Sequence, residues 1–343
     1  MDVSVVIPTW NGAALLRRFL PSVLREVEHY RKGNGGDAEV IVVDDASVDD
    51  TVEFLRQLPV RVVTRPTQGG FACACNSGID VVRFSCVVLL NNDVEVAPGF
   101  ISAMLEPFDD DQIFAVTARI YEPENGLLAT AGKIGIFRRG FWSVYFNYDV
   151  LPGAARFQPS AYAVGGFCAL RTTQMRLLGG FDEMLSPFHW EDVDLSYRAW
   201  KRGWSVVYQP QAVGWHQASS TIGRTFQSRE VEIVAARNRL LFHWKNLHDP
   251  VMLSRHVSML ALLLFSRWVA GDWGFYQAFW QALSRWSEWR GLRRQEKLAI
   301  QRPDGVVREL LRRFARRSDI QVYRSRRDVE ERHECLRSSD HTE

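Results

Sequence analysis

Three short apolar runs end on side chains that can coordinate or hydrogen-bond a polar ligand. Residues 3–8 run into Pro8-Thr9-Trp10-Asn11, 39–45 into Asp44-Asp45-Ala46-Ser47, and 84–90 into Asn91-Asn92-Asp93. A carboxylate in such a turn can accept hydrogen bonds from a nucleobase imide or a ribose hydroxyl. The same carboxylate facing a pyrophosphate would repel it unless a divalent cation lay between them. Hard oxygen ligands shared with phosphate oxygens are how Mg2+ and Mn2+ are usually held. Farther along, Trp190-Glu191-Asp192 puts two acids at the head of a helical pattern. Acids at a helix start also serve the dipole, and Asp44-Asp45 could simply open a turn.

The elements that must position these residues are readable from periodicity. Residues 3–8, 39–45, 60–64 and 84–90 are short, rich in β-branched residues and bounded by turn chemistry, as buried strands are. Between them Leu15, Leu16, Phe19, Leu20, Val23, Leu24 and Val27 recur at helical spacing, with Pro21 expected to kink or divide that helix. Ser47 with Asp50 reads as a capping box for a helix to about Leu58. Strands alternating with helices predict an α/β fold, a mostly parallel sheet with helices on both faces. Ligands of such sheets bind beyond the carboxyl ends of the strands, so the three polar turns should share one crevice. The second half predicts a strand over 164–170, a short helix over 174–178, a helix over 191–202 and a strand over 204–208 stopped by Pro210.

Of the 343 residues 46% are hydrophobic and 24% charged, enough for a full core. A net charge of +2 gives no reason to expect nucleic acid as partner. Five cysteines without a repeated CxxC pair indicate neither a zinc site nor a disulfide framework. With no leader-like segment before the first strand, the expected compartment is the cytoplasm. The composition changes near Asp249. Apolar stretches rich in Trp alternate with arginines, each too short for the ~20 residues that span a bilayer. They suit amphipathic helices buried in a membrane interface, a subunit contact or the preceding domain. The expected organisation is a catalytic domain over 1–248, a helical extension over 249–316 and a charged, mobile tail over 317–343.

The runs SVVIPTWN, IVVDDASVDDT and VVLLNNDVEV, followed by GGFDEMLSPFHWEDVDLSYRAWKRGWSVVYQPQAVGWH, resemble the inverting family 2 glycosyltransferases of the GT-A (Rossmann-like) fold. The likeness covers roughly residues 2–245. It is greatest to rhamnosyltransferase-like and galactofuranosyltransferase-like bacterial enzymes of surface polysaccharides. The resemblance implies that Thr9 and Asp45 contact the uracil or thymine and ribose of a nucleotide-sugar donor. Asn91-Asn92-Asp93 takes the place of the D-x-D motif, so Asp93, with Asn91 as a neutral ligand, and His216 would hold Mn2+ or Mg2+. Asp192 matches the catalytic base, with Glu191 among the substrate-contacting residues. Asn76 matches a segment lining the donor pocket, and Gly165-Gly166 would let the acceptor approach the backbone. Arg224, Arg237 and Asn238 are candidate phosphate contacts. The acceptor would be a glycan or lipid-linked glycan, with the extension making peripheral contact at the inner membrane face or a homodimer. Against a dinucleotide-dependent oxidoreductase stands the missing G-x-G-x-x-G. A nucleotidyltransferase would need a Gly-rich basic loop after the first strand, and a processive synthase a QxxRW motif.

Overall fold

The computed structural model describes residues 1–34, 36–151, 153–154, 156–217 and 227–340. The chain runs β1 (Val3–Thr9), α1 (Ala13–Asn34), β2 (Ala38–Asp44), α2 (Thr51–Leu55), β3 (Arg61–Thr64), α3 (Phe71–Asp80), β4 (Cys86–Leu90), β5 (Val94–Val96) and α4 (Phe100–Leu105). It continues through β6 (Ile113–Tyr121), β7 (Leu128–Thr130), β8 (Gly132–Arg138), β9 (Phe141–Val150), β10 (Gln158–Pro159), β11 (Phe167–Arg171), α5 (Thr172–Leu177), α6 (Glu191–Lys201) and β12 (Ser205–His216). The last elements are α7 (Ser228–Asn246), α8 (Pro250–Val269), α9 (Trp273–Ser284), α10 (Trp286–Leu298), α11 (Asp304–Phe314), β13 (Ile320–Tyr323) and α12 (Arg326–Asp340).

The main sheet has the order β10-β12-β6-β11-β4-β1-β2-β3. Strands β4, β1, β2 and β3 are mutually parallel, and β11 is inserted antiparallel between β4 and β6. Alternate residues of one strand serve opposite faces. Val6, Ile41 and Val43 pack into one core with α3, while Val5, Ile7, Val40 and Val42 pack into the other with α1 and α4. The expected doubly covered α/β sheet is therefore the observed architecture.

Four local expectations are corrected by packing. Helix α1 runs unbroken through Pro21. That proline is exposed, while Leu16, Leu20, Val23 and Val27 are buried and hold the helix on both sides of it. Ser47 caps nothing. Its hydroxyl accepts the Asn11 N–H at 2.8 Å, and the Asn11 side chain accepts the Val48 N–H at 2.9 Å. These bonds brace the turns after β1 and β2 against each other. Strand β12 does not stop at Pro210 but continues to His216. Its pairing with β6 shifts between Gln209 and Val213, so the proline sits where the ladder asks no N–H of it. Finally, the segment from residue 317, expected to be a mobile tail, contributes β13. This strand pairs antiparallel with β9 in a three-stranded sheet, where Ile320 packs beside Tyr148 and Phe314.

Helices α9 and α10 pack on α7, where Trp244 meets Phe279 and Trp289 with ring centres 5.9 and 5.6 Å apart. The far sides of α8 and α9 leave Val257, Leu262, Phe265, Trp268, Trp273 and Trp280 exposed. Among the described residues no helix is long and apolar enough to cross a membrane.

Candidate active site

The carboxyl ends of β1, β2 and β4 open on a cavity of about 710 Å³. Thr9, Asp45, Asn91, Asp93, Glu191, Asp192 and His216 all line it. Seven residues spread over two hundred positions thus meet in one volume. Asn76 does not belong there. Its side-chain amide donates to the Phe181 carbonyl and accepts the Phe181 N–H, both at 2.9 Å, so it clamps α3 to the segment before α6. Its amide also donates to Glu183 Oε1 at 3.0 Å, so it is committed to the 181–183 segment and does not line the cavity.

Directly after β2, Asp45 is nearly fully buried. Its carboxylate accepts N–H bonds from Gly69 at 3.0 Å and Gly70 at 2.7 Å, and an ion pair from Arg65 Nε at 2.8 Å. Gly70 needs to be glycine twice over: its φ is +85°, and a Cβ would lie 2.7 Å from the Pro187 carbonyl oxygen. Asp44 accepts the Ser47 N–H at 3.2 Å, the turn role that its position suggests. Thr9 accepts from the Asn92 amide at 2.8 Å, which ties the first strand end to the fourth.

Strand β5 carries Asp93's neighbour Val94 into register with His216 on β12. His216 Nε2 lies 3.1 Å from Asp93 Oδ1. Two ligands each ~2.1 Å from an octahedral cation and at right angles are separated by about 3.0 Å, so this spacing fits a shared Mg2+ or Mn2+. The donor set fits as well: one carboxylate and one imidazole, edge-on to the Phe167 ring at 4.9 Å. Among the described residues no group of three or more His, Cys, Asp or Glu could hold a metal, so further ligands would have to come from a neutral side chain such as Asn91, a bound substrate or water.

Three acids at the head of α6 have three different environments. Asp194 is fully buried and paired with Arg198 at 2.8 Å and Lys245 at 2.6 Å, which hold its carboxyl below the usual range. Glu191 is buried without a cation, and its Oε2 has no hydrogen-bond partner among the described residues. Burial, and then the neighbouring Asp192, push it well above the usual carboxylate range. Burial raises Asp192 too, but N–H groups of Gly165 and Val193 and the charge of Lys133 oppose the shift. The Gly165 N–H lies 3.3 Å from Asp192 Oδ2. Burial therefore disfavours the charge at Glu191 more than at Asp192, where N–H groups and Lys133 oppose it.

Lys245 is the centre of the purely structural part. It reaches both Asp182 and Asp194 from a site 1% exposed. Lys245→Ala is expected to destabilise the protein by about 3–5 kcal/mol, since it leaves buried carboxylates uncompensated. Urea unfolding of the two proteins measures this, and a change under about 1 kcal/mol would contradict it.

Gly165 and Gly166 line the cavity, but the space next to their α-carbons is not free for an acceptor. A Cβ on Gly165 would meet the Phe71 ring, and one on Gly166 would lie 2.3 Å from the Asn91 side chain. Arg237 and Asn238, the candidate phosphate contacts, do not line the cavity: both are bonded to backbone of the 185–189 loop. Arg224 lies outside the described residues. His189 and Trp190, immediately before the acid pair, have φ of +70° and +75°. For residues with a Cβ this conformation costs roughly 1–2 kcal/mol each, and such strain concentrates at functional sites.

Three functional neighbours escaped the sequence reading. Arg65 could have been found, because it is the first residue after β3 and the strand-end rule applies to it. Lys133 could not, since it comes from β8, and only the fold buries it near Asp192, where burial pushes its ammonium down to about 8. His189 lines the cavity and carried no signal beyond its place beside Trp190.

Residues 4–173 match the sequence profile described as Glycosyl transferase family 2. That part of the chain carries the family 2 glycosyltransferase signature, and the architecture is that of the GT-A glycosyltransferases. A pre-mycofactocin glycosyltransferase of Mycobacterium tuberculosis is 32% identical over 227 residues, 63% of this chain and 42% of that protein. An N-acetylglucosaminyl-diphospho-decaprenol L-rhamnosyltransferase of the same organism is 28% identical over 246 residues, 64% of this chain and 77% of its own length. Among solved structures, GalNAc-T7 with UDP, GalNAc and Mn2+ superposes with a TM-score of 0.55 at 19% identity, over 73% of this chain and 48% of that one. The mannosyltransferase PcManGT of Pyrobaculum calidifontis, in complex with GDP-Man and Mn2+, gives 0.51 at 15% identity over 92% and 88%. At these identities the structural likeness speaks for the fold alone.

Proposed function

We propose that the chain is an inverting glycosyltransferase that moves a sugar from a UDP- or dTDP-sugar, dTDP-rhamnose among them, to a hydroxyl of a glycan or lipid-linked glycan. One observation carries this reading: Thr9 and Asp45, the Asp93–His216 pair and Asp192 line a single cavity. In this reading Thr9 and Asp45 would contact the base and ribose of the sugar nucleotide. Asp93 and His216, with Asn91 beside them, would hold Mn2+ or Mg2+ against the pyrophosphate. When bound, the cation supplies Lewis-acid stabilisation of the departing nucleoside diphosphate. Asp192 accepts the proton of the acceptor hydroxyl as its oxygen bonds to the anomeric carbon and the bond from that carbon to the β-phosphate oxygen breaks. One displacement inverts the anomeric configuration. The leaving group is already acidic, so Glu191 need not donate a proton, unlike the acid of a glycosidase. The similarity to a rhamnosyltransferase supports a rhamnosyl donor such as dTDP-rhamnose, and GDP-sugars provide the contrast.

A panel of UDP-, dTDP- and GDP-sugars, assayed with Mn2+ or Mg2+ and a lipid-diphosphate glycan acceptor, decides it. Release of nucleoside diphosphate from a pyrimidine donor is the expected result. Release from GDP-sugars alone would overturn the donor assignment, and tight binding without turnover of any donor would make the chain a binding module.

The exposed apolar side chains of α8 and α9, with exposed Arg255, Arg267, Arg290 and Arg294 around them, suit an anionic membrane surface that presents a lipid-linked acceptor. Each such arginine contributes about 1 kcal/mol there. The intact protein is expected to float with anionic liposomes at low salt and to leave them as salt rises. Phe265→Glu with Trp268→Glu should abolish flotation. If the double variant floats as before, or if it instead converts a dimer to a monomer in light scattering, the surface is not a membrane contact.

A further inference from the structure

Five backbone carbonyls in the segment leading to the acid pair are collected by three side chains from far along the chain. Arg285, between α9 and α10, donates to the carbonyl of Met184. Arg237 of α7 donates to that of Ser186. Asn238, also of α7, points its amide nitrogen at the carbonyls of Leu185, Phe188 and His189, the last two at 2.9 Å. Arg237 Nε donates to Asn238 Oδ1 at 2.9 Å, so the NH2 end is the one that faces the loop. Asn238 is fully buried, and none of the three side chains lines the cavity.

What these bonds hold is a conformation the backbone does not prefer. His189 and Trp190 are both left-handed and both carry a Cβ. The next two residues are Glu191 and Asp192, and the place of the Asp192 carboxylate beside the Gly165 N–H follows from how the loop enters α6. An amide that bridges three carbonyls on the approach to that pair fixes both its torsion and its direction.

We propose that Asn238, assisted by Arg237 and Arg285, is a positioning residue for sugar transfer: it holds the left-handed His189-Trp190 pair and thereby keeps Asp192 aimed at the acceptor hydroxyl. This rests on the reading of Asp192 as the proton acceptor. It makes the geometry of the reacting group depend on helices outside residues 4–173, which match the family.

The test compares kcat, donor KM and nucleoside-diphosphate affinity for Asn238→Ala, with Asp192→Asn run alongside. Misplacing a reacting group by about 1 Å costs up to ~100-fold, so kcat should fall ~10- to 100-fold while donor affinity changes little. The control is the same substitution in a His189→Gly background. Glycine enters the left-handed region without penalty, so removing the clamp should then cost several-fold less. A merely structural asparagine would cost the same in both backgrounds. Wild-type kcat in a folded Asn238→Ala, a loss confined to KM, or equal losses in the two backgrounds overturns the proposal. Active Asp192→Asn would instead overturn the reading of the base and leave the clamp's effect on kcat as a separate result. If Asn238→Ala does not fold, Arg285→Met, which removes the Met184 contact and the exposed pair with Glu288, is judged by the same split between kcat and KM.

Discussion

Asp192→Asn is expected to bind nucleoside diphosphate normally and to transfer sugar ~10² to 10⁴ times more slowly, the loss that follows removal of a general base. An amide keeps the shape, and its oxygen can still accept the Gly165 N–H, but it cannot take a proton. The wild-type rate should fall on the acid side as Asp192 is protonated. Because burial raises its carboxyl, that limb should begin above the range of an ordinary aspartate, and the residual activity of the variant should lack it. Stability runs the other way. Glu191 and Asp192 are both raised, so what they contribute to stability is complete below the unfolded carboxylate range of about 4. It is lost as pH rises through their folded values. Neutralising Asp192 should therefore leave the protein at least as stable at neutral pH. Turnover within about threefold of wild type in a variant with a normal melting curve would remove Asp192 from the chemistry.

Asp93→Ala should abolish stimulation by divalent cations and weaken nucleoside-diphosphate binding in their presence. Even a lost second-shell partner costs ~10- to 100-fold in metal affinity, so loss of a direct ligand should cost at least that. Binding of the nucleoside alone should persist, because the proposed reading gives the nucleoside to Thr9 and Asp45 and not to Asp93. Calorimetric titration of UDP or dTDP with and without Mn2+, and the same with chelator added to the wild type, separates the two contributions. His216→Ala should follow the same pattern, since its Nε2 is 3.1 Å from Asp93 Oδ1. A variant at Asp93 that keeps the full metal effect would mean that the cation is held elsewhere.

Much of this site is legible in the sequence because it obeys local rules. Strands β1, β2 and β4 announce themselves by short β-branched runs, and a parallel sheet places whatever follows each of them at one edge. Thr9, Asp45 and Asp93 needed no more than that, and Arg65 would have been added by applying the same rule to β3. The resemblance brought in Asp192, and the tertiary structure then distinguished it from Glu191 and Asp194. All three lie within four residues on one helix, so no local pattern could say which meets Lys245, which meets the Gly165 N–H and which meets no cation.

The misreadings have a common origin. Pro210 is a strand breaker by itself, yet the shift in pairing between β12 and β6 absorbs it, and the strand it does not stop carries His216 back to Asp93. Asn76, Arg237 and Asn238 have the side chains of ligand contacts, but their partners are backbone atoms about fifty to a hundred residues away. Sequence by itself determined the periodic elements, their parallel order and the chemistry available at their ends, because those depend on neighbours within a few positions. Which donor meets which acceptor was decided only when distant segments packed, since a buried polar group takes whatever partner the closed core leaves within about 3 Å.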